Sequence, residues 1–210
     1  MARPPVLGLN GAIGSGKSAA RAELAALGIP GIDADQVARA IHQDAAHPAL
    51  GEIGALFPQA LGADGRLRRG SLPALPAADP EANAGIKRIL KPWVLEVMAR
   101  WTHEQNAPVV VWESALIIDE SLPVDRVLVV DTDDATRFAR LCERQRDWSG
   151  AQIRAVMAMQ ALRSDYLAGA DDVVDNGGTR VELRKQLERL HAGLISGLIS
   201  SPTSQRSNAT

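Results

Sequence analysis

Five short runs of apolar residues recur along the chain, and helical spacing of apolar positions fills most of the intervals between them. The third and fourth runs contain Val109-Val110-Val111 and Val127-Leu128-Val129-Val130, which are continuous rather than alternating. Continuous apolar runs are typical of strands buried on both faces, and strands that alternate with helices form parallel sheets. The sequence therefore predicts an α/β fold with a five-stranded parallel sheet, its strands at 6–9, 29–32, 109–112, 127–130 and 173–174.

The long interval between the second and third runs breaks this alternation. Residues 37–105 show no clear strand pattern, several helical patterns and a Pro/Ala-rich stretch at 73–80. Ligands of open α/β sheets bind beyond the carboxyl ends of the strands, so an insertion placed there can select a substrate. We therefore predict a nucleotide-binding core at residues 5–35 and 106–195, and a helical substrate domain at 36–105.

Residues 11–18, Gly-Ala-Ile-Gly-Ser-Gly-Lys-Ser, fit the phosphate-binding pattern G-x-x-x-x-G-K-[ST]. An apolar run precedes the pattern, and an Ala/Leu-rich segment that ends before Gly28 follows it, so it lies between a strand and a helix. Glycines let backbone N–H groups surround phosphate, Lys17 supplies a mobile cation, and the Ser18 hydroxyl can ligate Mg²⁺. The alternative is a glycine-rich turn with a chance lysine, which the flanking strand and helix disfavour.

Composition and charge narrow the class of protein. The chain has 210 residues, 46% hydrophobic content and a net charge of −2, which is typical of an ordinary globule and predicts no nucleic-acid partner. Basic residues gather locally at Arg137, Arg140, Arg144 and Arg146, as a small polyanionic ligand would require. The single cysteine, the absence of an 18-residue apolar run and the absence of a signal-peptide pattern predict a cytoplasmic protein. The polar, aperiodic tail at 200–210 is predicted to be disordered.

Two acidic residues follow the second predicted strand. Asp33 and Asp35 stand there, and Arg39 lies four residues beyond Asp35. If a helix begins at this point, the acidic side chain of Asp35 and the basic side chain of Arg39 lie on the same face. Since the carboxyl ends of neighbouring parallel strands share one crevice, Asp35 could accept the proton of a hydroxyl that attacks a phosphate. The alternative, an aspartate that caps a helix, stays open for each of the two residues.

Four motifs in this order resemble the dephospho-CoA kinase family, over about residues 5–195. They are N-G-A-I-G-S-G-K-S, I-D-A-D-x-x-A-R, D-G-x-L-x-R-x-x-L at 64–72 and V-D-N-G-G at 174–178. The resemblance implies transfer of the ATP γ-phosphate to the ribose 3′-hydroxyl of dephospho-CoA, with Mg²⁺ as cofactor, in the last step of coenzyme A biosynthesis. It also implies a P-loop kinase core, a helical CoA-binding domain and a mobile helical lid at about 144–166. We expect ATP and dephospho-CoA as partners, no membrane, and a monomer or weak homo-oligomer.

The resemblance also implies roles for individual residues. Asp35 would be the catalytic base, with Lys17 and Arg140 stabilising the transferred group and Ser18 holding the metal. The implied ATP-binding residues are Gly11, Gly14, Ser15, Gly16, Lys17, Ser18, Ala19, Arg144 and Asn176. The implied acceptor-side residues are Asp33, Arg39 and Lys91, and Asp33 is also a candidate to hold metal-bound water. Weaker assignments place Gln160 and Arg163 in the return helix of the lid, and a solvated helix face is the alternative role for the two arginines of R-x-x-x-R, Arg140 and Arg144.

The chain departs from the family pattern at several positions. Lys91 precedes Pro92 where the family generally has His-Pro, so a positive charge is kept but a neutral imidazole is lost. Tyr166 stands where a basic lid residue is usual. The other departures are Ala12 for glycine, Ala19 for threonine, and Ala115 and Asp119 for the proline and glutamate of P-L-L-x-E.

Two other functions share the phosphate-binding loop. Another small-molecule kinase, such as a shikimate, gluconate or nucleoside-monophosphate kinase, would differ in its acceptor. A regulatory nucleotide-binding module would bind ATP without acceptor-dependent release of ADP. A GTPase is disfavoured, because the N-K-x-D guanine signature is missing.

Overall fold

The computed structural model describes residues 3–68 and 80–200. The predicted Pro/Ala-rich stretch at 73–80, apart from Pro80, lies outside the described residues. The last residues of the D-G-x-L motif and residues 201–210 of the predicted tail also lie outside them.

Five parallel strands form one sheet in the order β2-β3-β1-β4-β5, which confirms the predicted fold class. The strands are β1 Val6–Asn10, β2 Gly31–Asp33, β3 Val110–Glu113, β4 Arg126–Asp131 and β5 Asp172–Asp175. β2 begins two residues later than its apolar run, after Pro30, which has no N–H to donate but whose carbonyl accepts a bond from Val111 N (2.8 Å). Because β1 lies in the centre of the order, the loop that follows it emerges at the middle of the carboxyl edge.

Eight helices accompany the strands within the described residues. They are α1 Lys17–Ala26, α2 Ala34–Gln43, α3 Pro48–Leu56, α4 Pro80–Glu104, α5 Asp134–Arg144, α6 Gly150–Ala158, α7 Arg163–Ala168 and α8 Arg180–Ser200, with a 3₁₀ turn at Pro58–Ala60. The predicted first helix is confirmed, and Gly28, with φ +86°, follows its end.

Both faces of the sheet are covered, as the continuous apolar runs predict. Alternate residues of β4 point to opposite faces, so Leu128 packs in one cluster with α1 and α8 while Val129 packs in another. The first cluster includes Leu24 of α1 and Leu187 of α8, both fully buried. The second includes Ile117 from the segment after β3.

The chain divides into two compact units. One takes the chain up to Ile32 and again from Gln105 onward, and it carries the sheet and the phosphate-binding motif. The other is Asp33–Glu104, in which α4 contacts both α2 and α3. In the described part of the chain, no helix has the length and apolarity needed to span a membrane.

Candidate active site

The loop between β1 and α1 has a backbone that only glycine adopts easily. Gly11, Gly14 and Gly16 have φ of +146°, +81° and +98°. At Gly11 a Cβ atom would lie 2.5 Å from the carbonyl oxygen of Val130, so even alanine would collide with β4. The motif therefore folds as the predicted strand, loop and helix.

The start of α1 is built to receive an anion. Gly16 is the N-cap residue, no side chain caps the helix, and its first turn contains no acidic residue. The positive end of the helix dipole is therefore not offset by a first-turn acid or a side-chain cap, which favours an anion such as phosphate there. The ammonium of Lys17 lies over the loop, where it donates to the carbonyl oxygens of Gly11 (2.7 Å) and Ala12 (3.3 Å).

Glu113 is a site residue that the sequence reasoning missed. It ends β3, beside β1, and it is only 5% exposed. Its Oε1 accepts a hydrogen bond from Ser18 Oγ (2.8 Å), and its Oε2 pairs with Arg21 Nε (2.6 Å). An acidic residue that directly follows the apolar run at 109–112 could have revealed it, because that position is the carboxyl end of a buried strand.

Arg140 and Asn176 both contact the loop. The resemblance implied a role near ATP for each of them. Asn176 is buried, and its Nδ2 donates to the Ser15 carbonyl (2.7 Å), while Arg140 Nη2 donates to the Asn176 carbonyl (2.8 Å). A Cβ on Gly16 would overlap the Asn176 amide, so this side chain packs tightly on the loop. Arg144 lies exposed at the last position of α5 and does not join this contact. Asn176 thus holds the loop in this structure, and its contact with ATP stays a prediction.

The segment predicted as a lid contains α6 and α7. Gln160 lies in the turn between them rather than in a return helix, and Arg163 begins α7. Arg163 forms a two-point ion pair with Asp131 at the end of β4 (2.8 and 2.5 Å). A cavity of about 510 Å³ lies among α5, α6 and α7. Movement of this segment stays a prediction.

Two departures from the family pattern fall in one apolar cluster. Ala12 and Tyr166 are both buried, and both belong to the cluster that includes Ile117 and Val129. Burial, reinforced by the Asp119 carboxylate, raises the pKa of the Tyr166 hydroxyl. Tyr166 therefore acts in packing beneath the loop and supplies no cation to the lid.

The acidic pair lies in the second unit, and the structure separates its two members. Asp33 is the N-cap of α2, where its Oδ1 accepts from Asp35 N (2.8 Å) and Gln36 N (3.3 Å). Asp35 is exposed in the first helical turn, and Arg39 is exposed one turn further along. The capping alternative therefore holds for Asp33, and the side chain of Asp35 is not used as the cap. Lys91 is half-buried within α4.

The buried ring of His42 predicts a pH-dependent stability for this unit. Its Nε2 is buried and has no hydrogen-bond partner within the described residues. Burial, helped by the Arg39 charge, lowers the pKa of His42 from its usual 6.5.

The unfolded chain therefore takes up this proton at a higher pH than the folded chain does. We expect stability to fall as the pH drops from about 6.5 towards the lower folded-state pKa of His42. Urea midpoints of the parent and His42→Gln between pH 5 and 7.5 measure this, and the variant should lose part of the dependence. His103→Gln, at an exposed histidine of α4, is the matched control. Identical pH profiles for the parent and His42→Gln would contradict the prediction.

The loop, the uncapped start of α1 and the buried Glu113 of the neighbouring strand β3 lie together at the carboxyl edge of the sheet. The family model described as dephospho-CoA kinase matches residues 5–182. The chain belongs to the dephospho-CoA kinase family. The resemblance inferred from its four motifs is confirmed.

Similar proteins support the assignment over most of the chain. A dephospho-CoA kinase from Aeromonas hydrophila is 36% identical over 190 residues, covering 89% of this chain and 92% of the relative. The crystal structure of TT1252 from Thermus thermophilus has a TM-score of 0.79 and 27% identity, covering 92% of this chain and 99% of that one. A dephospho-CoA kinase structure from Campylobacter jejuni, at 18% identity and a TM-score of 0.57, covers 92% and 98% and shares the fold.

Membership of the dephospho-CoA kinase family fixes the class of reaction. The chain is an ATP-dependent phosphotransferase with an alcohol acceptor. The regulatory-module alternative is thereby disfavoured.

Proposed function

We propose that this chain transfers the γ-phosphate of ATP to the 3′-hydroxyl of dephospho-CoA, giving coenzyme A and ADP. The observation that carries the proposal is the family match over residues 5–182 together with the preformed loop at the start of α1. The loop N–H groups and Lys17 would hold the phosphates, and Arg140 beside Gly16 would add charge to the same end of the nucleotide. Catalysis would come mainly from positioning and charge stabilisation.

Asp35 is the proposed base. Its position in the first turn of α2 leaves the carboxylate exposed, so it keeps its capacity to accept a proton from the acceptor hydroxyl. Asp33 would hold α2, and therefore Asp35, in place through its capping bonds. Arg39 and Lys91 are proposed to bind the anionic groups of the acceptor.

The residues at the end of the loop fit Mg²⁺. Ser18 Oγ and Glu113 Oε1 lie 2.8 Å apart, and hydroxyl and carboxylate oxygens are the donors that this cation prefers. Ser18 would ligate the ion directly and Glu113 would hold one of its waters. When bound, Mg²⁺ would neutralise charge that develops on the phosphates. Arg21 fixes the Glu113 carboxylate through its second oxygen.

The acceptor assignment is tested by coupled ADP release with dephospho-CoA, adenosine, shikimate and gluconate. We expect release with dephospho-CoA in large excess over the others. Equal or greater release with shikimate or gluconate would replace the proposed acceptor. The cytoplasmic location and a monomer or weak homo-oligomer are further parts of this proposal.

Glu113→Gln should change the metal dependence of the reaction. The amide keeps the size of the side chain but loses the charge that faces Ser18, so the Mg²⁺ concentration for half-maximal rate should rise by about 10-fold or more. A magnesium titration at saturating ATP measures this. Glu23→Gln is the matched control, because Glu23 is a buried acid further along α1 that pairs with Arg180 (2.5 Å). An unchanged magnesium titration would remove Glu113 from the metal site.

A further inference from the structure

Both polar backbone groups of Ile13, in the middle of the phosphate-binding loop, are held by side chains from α5 and the α6–α7 turn. Arg137 Nε donates to the Ile13 carbonyl (2.9 Å), and the Ile13 N–H donates to Gln160 Oε1 (2.8 Å). The same Gln160 oxygen accepts from Arg137 Nη2 (2.9 Å), so the two side chains close a ring of bonds around one residue. Asp134 accepts from the remaining Nη1 (2.7 Å).

The guanidinium of Arg137 is committed to this arrangement. The residue is only 7% exposed, and all three of its nitrogens donate to the partners just named. Burial of an arginine costs free energy unless its N–H donors are satisfied. Here Nε donates to Ile13 itself, and Nη2 donates to the same Gln160 oxygen that accepts from the Ile13 N–H. Arg137 therefore has a specific partner in the loop rather than a general role on the helix surface.

The planarity of the peptide bond turns these contacts into a constraint on the loop. In a trans peptide, the carbonyl of one residue and the N–H of the next point in opposite directions. Since the Ile13 carbonyl points to Arg137, the Gly14 N–H points away from it. The Ala12 carbonyl, opposite the Ile13 N–H, accepts instead from Ser15 N (3.1 Å) and Lys17 Nζ (3.3 Å).

The carbonyl of Ser15, two residues after Ile13, is also held by side chains. The Ser15 carbonyl accepts from Asn176 Nδ2 (2.7 Å) and from Arg140 Nη1 (3.4 Å), so the Gly16 N–H points away from these groups. Arg137 and Arg140 are three residues apart, on neighbouring positions of one face of α5. One helix face thus holds two alternate carbonyls of the loop, which turns the N–H groups of Gly14 and Gly16 away from it.

We infer that Arg137, acting with Gln160, is a positioning residue that keeps the phosphate-binding loop in its anion-receiving conformation before nucleotide binds. Neither side chain needs to touch ATP for this role. Because Gln160 lies between α6 and α7, the same bonds tie that segment to the loop. The inference rests on the proposed seating of the ATP phosphates in this loop.

The test is ATP binding to the full chain, measured by calorimetry without acceptor. Arg137→Met keeps the length of the side chain and removes its donors, and the dissociation constant for ATP should rise about 10-fold. Without nucleotide, the loop peptide of Arg137→Met should exchange its amide hydrogens faster than the same peptide of the parent. Exchange in the variant should slow when ATP is added. Arg154→Met is the matched control, because Arg154 is an exposed arginine of α6 that lies over the Phe138 ring and has no bond to the loop among the described contacts.

A purely structural role for Arg137 would lower the melting temperature and leave ATP affinity unchanged. A folded Arg137→Met protein whose ATP dissociation constant lies within two-fold of the parent would therefore overturn the inference. If Arg137→Met does not fold, Gln160→Leu, at a half-buried residue outside the helices, gives the same comparison. A chain that binds ATP but does not phosphorylate dephospho-CoA would refute the proposed acceptor and leave this test intact.

Discussion

Lys17→Ala should abolish phosphoryl transfer and leave the fold intact. The ammonium of Lys17 donates to the carbonyl oxygens of Gly11 and Ala12, and Lys17 belongs to neither apolar cluster, so its removal opens no cavity in them. The loss of a positive charge directed at the transferred phosphate typically costs about 10²-fold or more in rate. Acceptor-dependent ADP release measures the rate, and thermal unfolding measures the fold.

Lys185→Ala is the control for this experiment, because Lys185 is an exposed lysine of α8. It should keep the parental rate. Near-parental turnover of Lys17→Ala would remove Lys17 from the mechanism.

Asp35→Asn should reduce turnover by at least two orders of magnitude while ATP and dephospho-CoA bind almost as in the parent. Asparagine matches the size of aspartate but cannot take up the hydroxyl proton, and general base catalysis typically contributes about 10²–10⁴-fold. The cost in stability should be below about 1 kcal/mol, because asparagine keeps the size of the side chain and Asp33, not Asp35, provides the cap of α2. Single-turnover kinetics and acceptor binding separate the two effects.

Two variants of the same unit complete the comparison. Asp33→Asn should fold normally, because asparagine caps helices as well as aspartate does, and it should retain most activity if capping is the main role of Asp33. Glu52→Gln removes one exposed charge from α3 and should leave turnover unchanged. Turnover of Asp35→Asn within a few-fold of the parent would contradict the assignment of Asp35 as the general base.

The strands and the loop could be predicted because each depends on local composition. The runs at 109–112 and 127–130 are continuously apolar since both of their faces are buried, and that condition leaves a direct mark on the sequence. Gly11 and Gly16 mark the loop because their backbone angles exclude other residues. The family could also be inferred from the sequence, since its motifs are short local patterns that keep their order along the chain.

The roles of the polar side chains could not be assigned in this way. Asp33 and Asp35 are equally good capping residues by type, and only the backbone path into α2 decided which one accepts the helical N–H groups. Glu113 lies 95 residues from Ser18, and Asn176 lies 161 residues from Ser15. The pairing of residues so far apart depends on the strand order, which places β3 beside β1 and places β5, the strand that precedes Asn176, beside β4.

The sequence by itself determined the parallel α/β sheet, the phosphate-binding loop and the kinase family, because burial on both faces and glycine-dependent backbone angles restrict residue types locally. The tertiary structure alone decided what holds that loop in place. Arg137 is one of several arginines in a basic stretch of sequence, and nothing local distinguishes it from Arg144. Its burial against Ile13 and the exposure of Arg144 follow from the packing of α5 on the loop, since a guanidinium can be buried only where acceptors meet its donors.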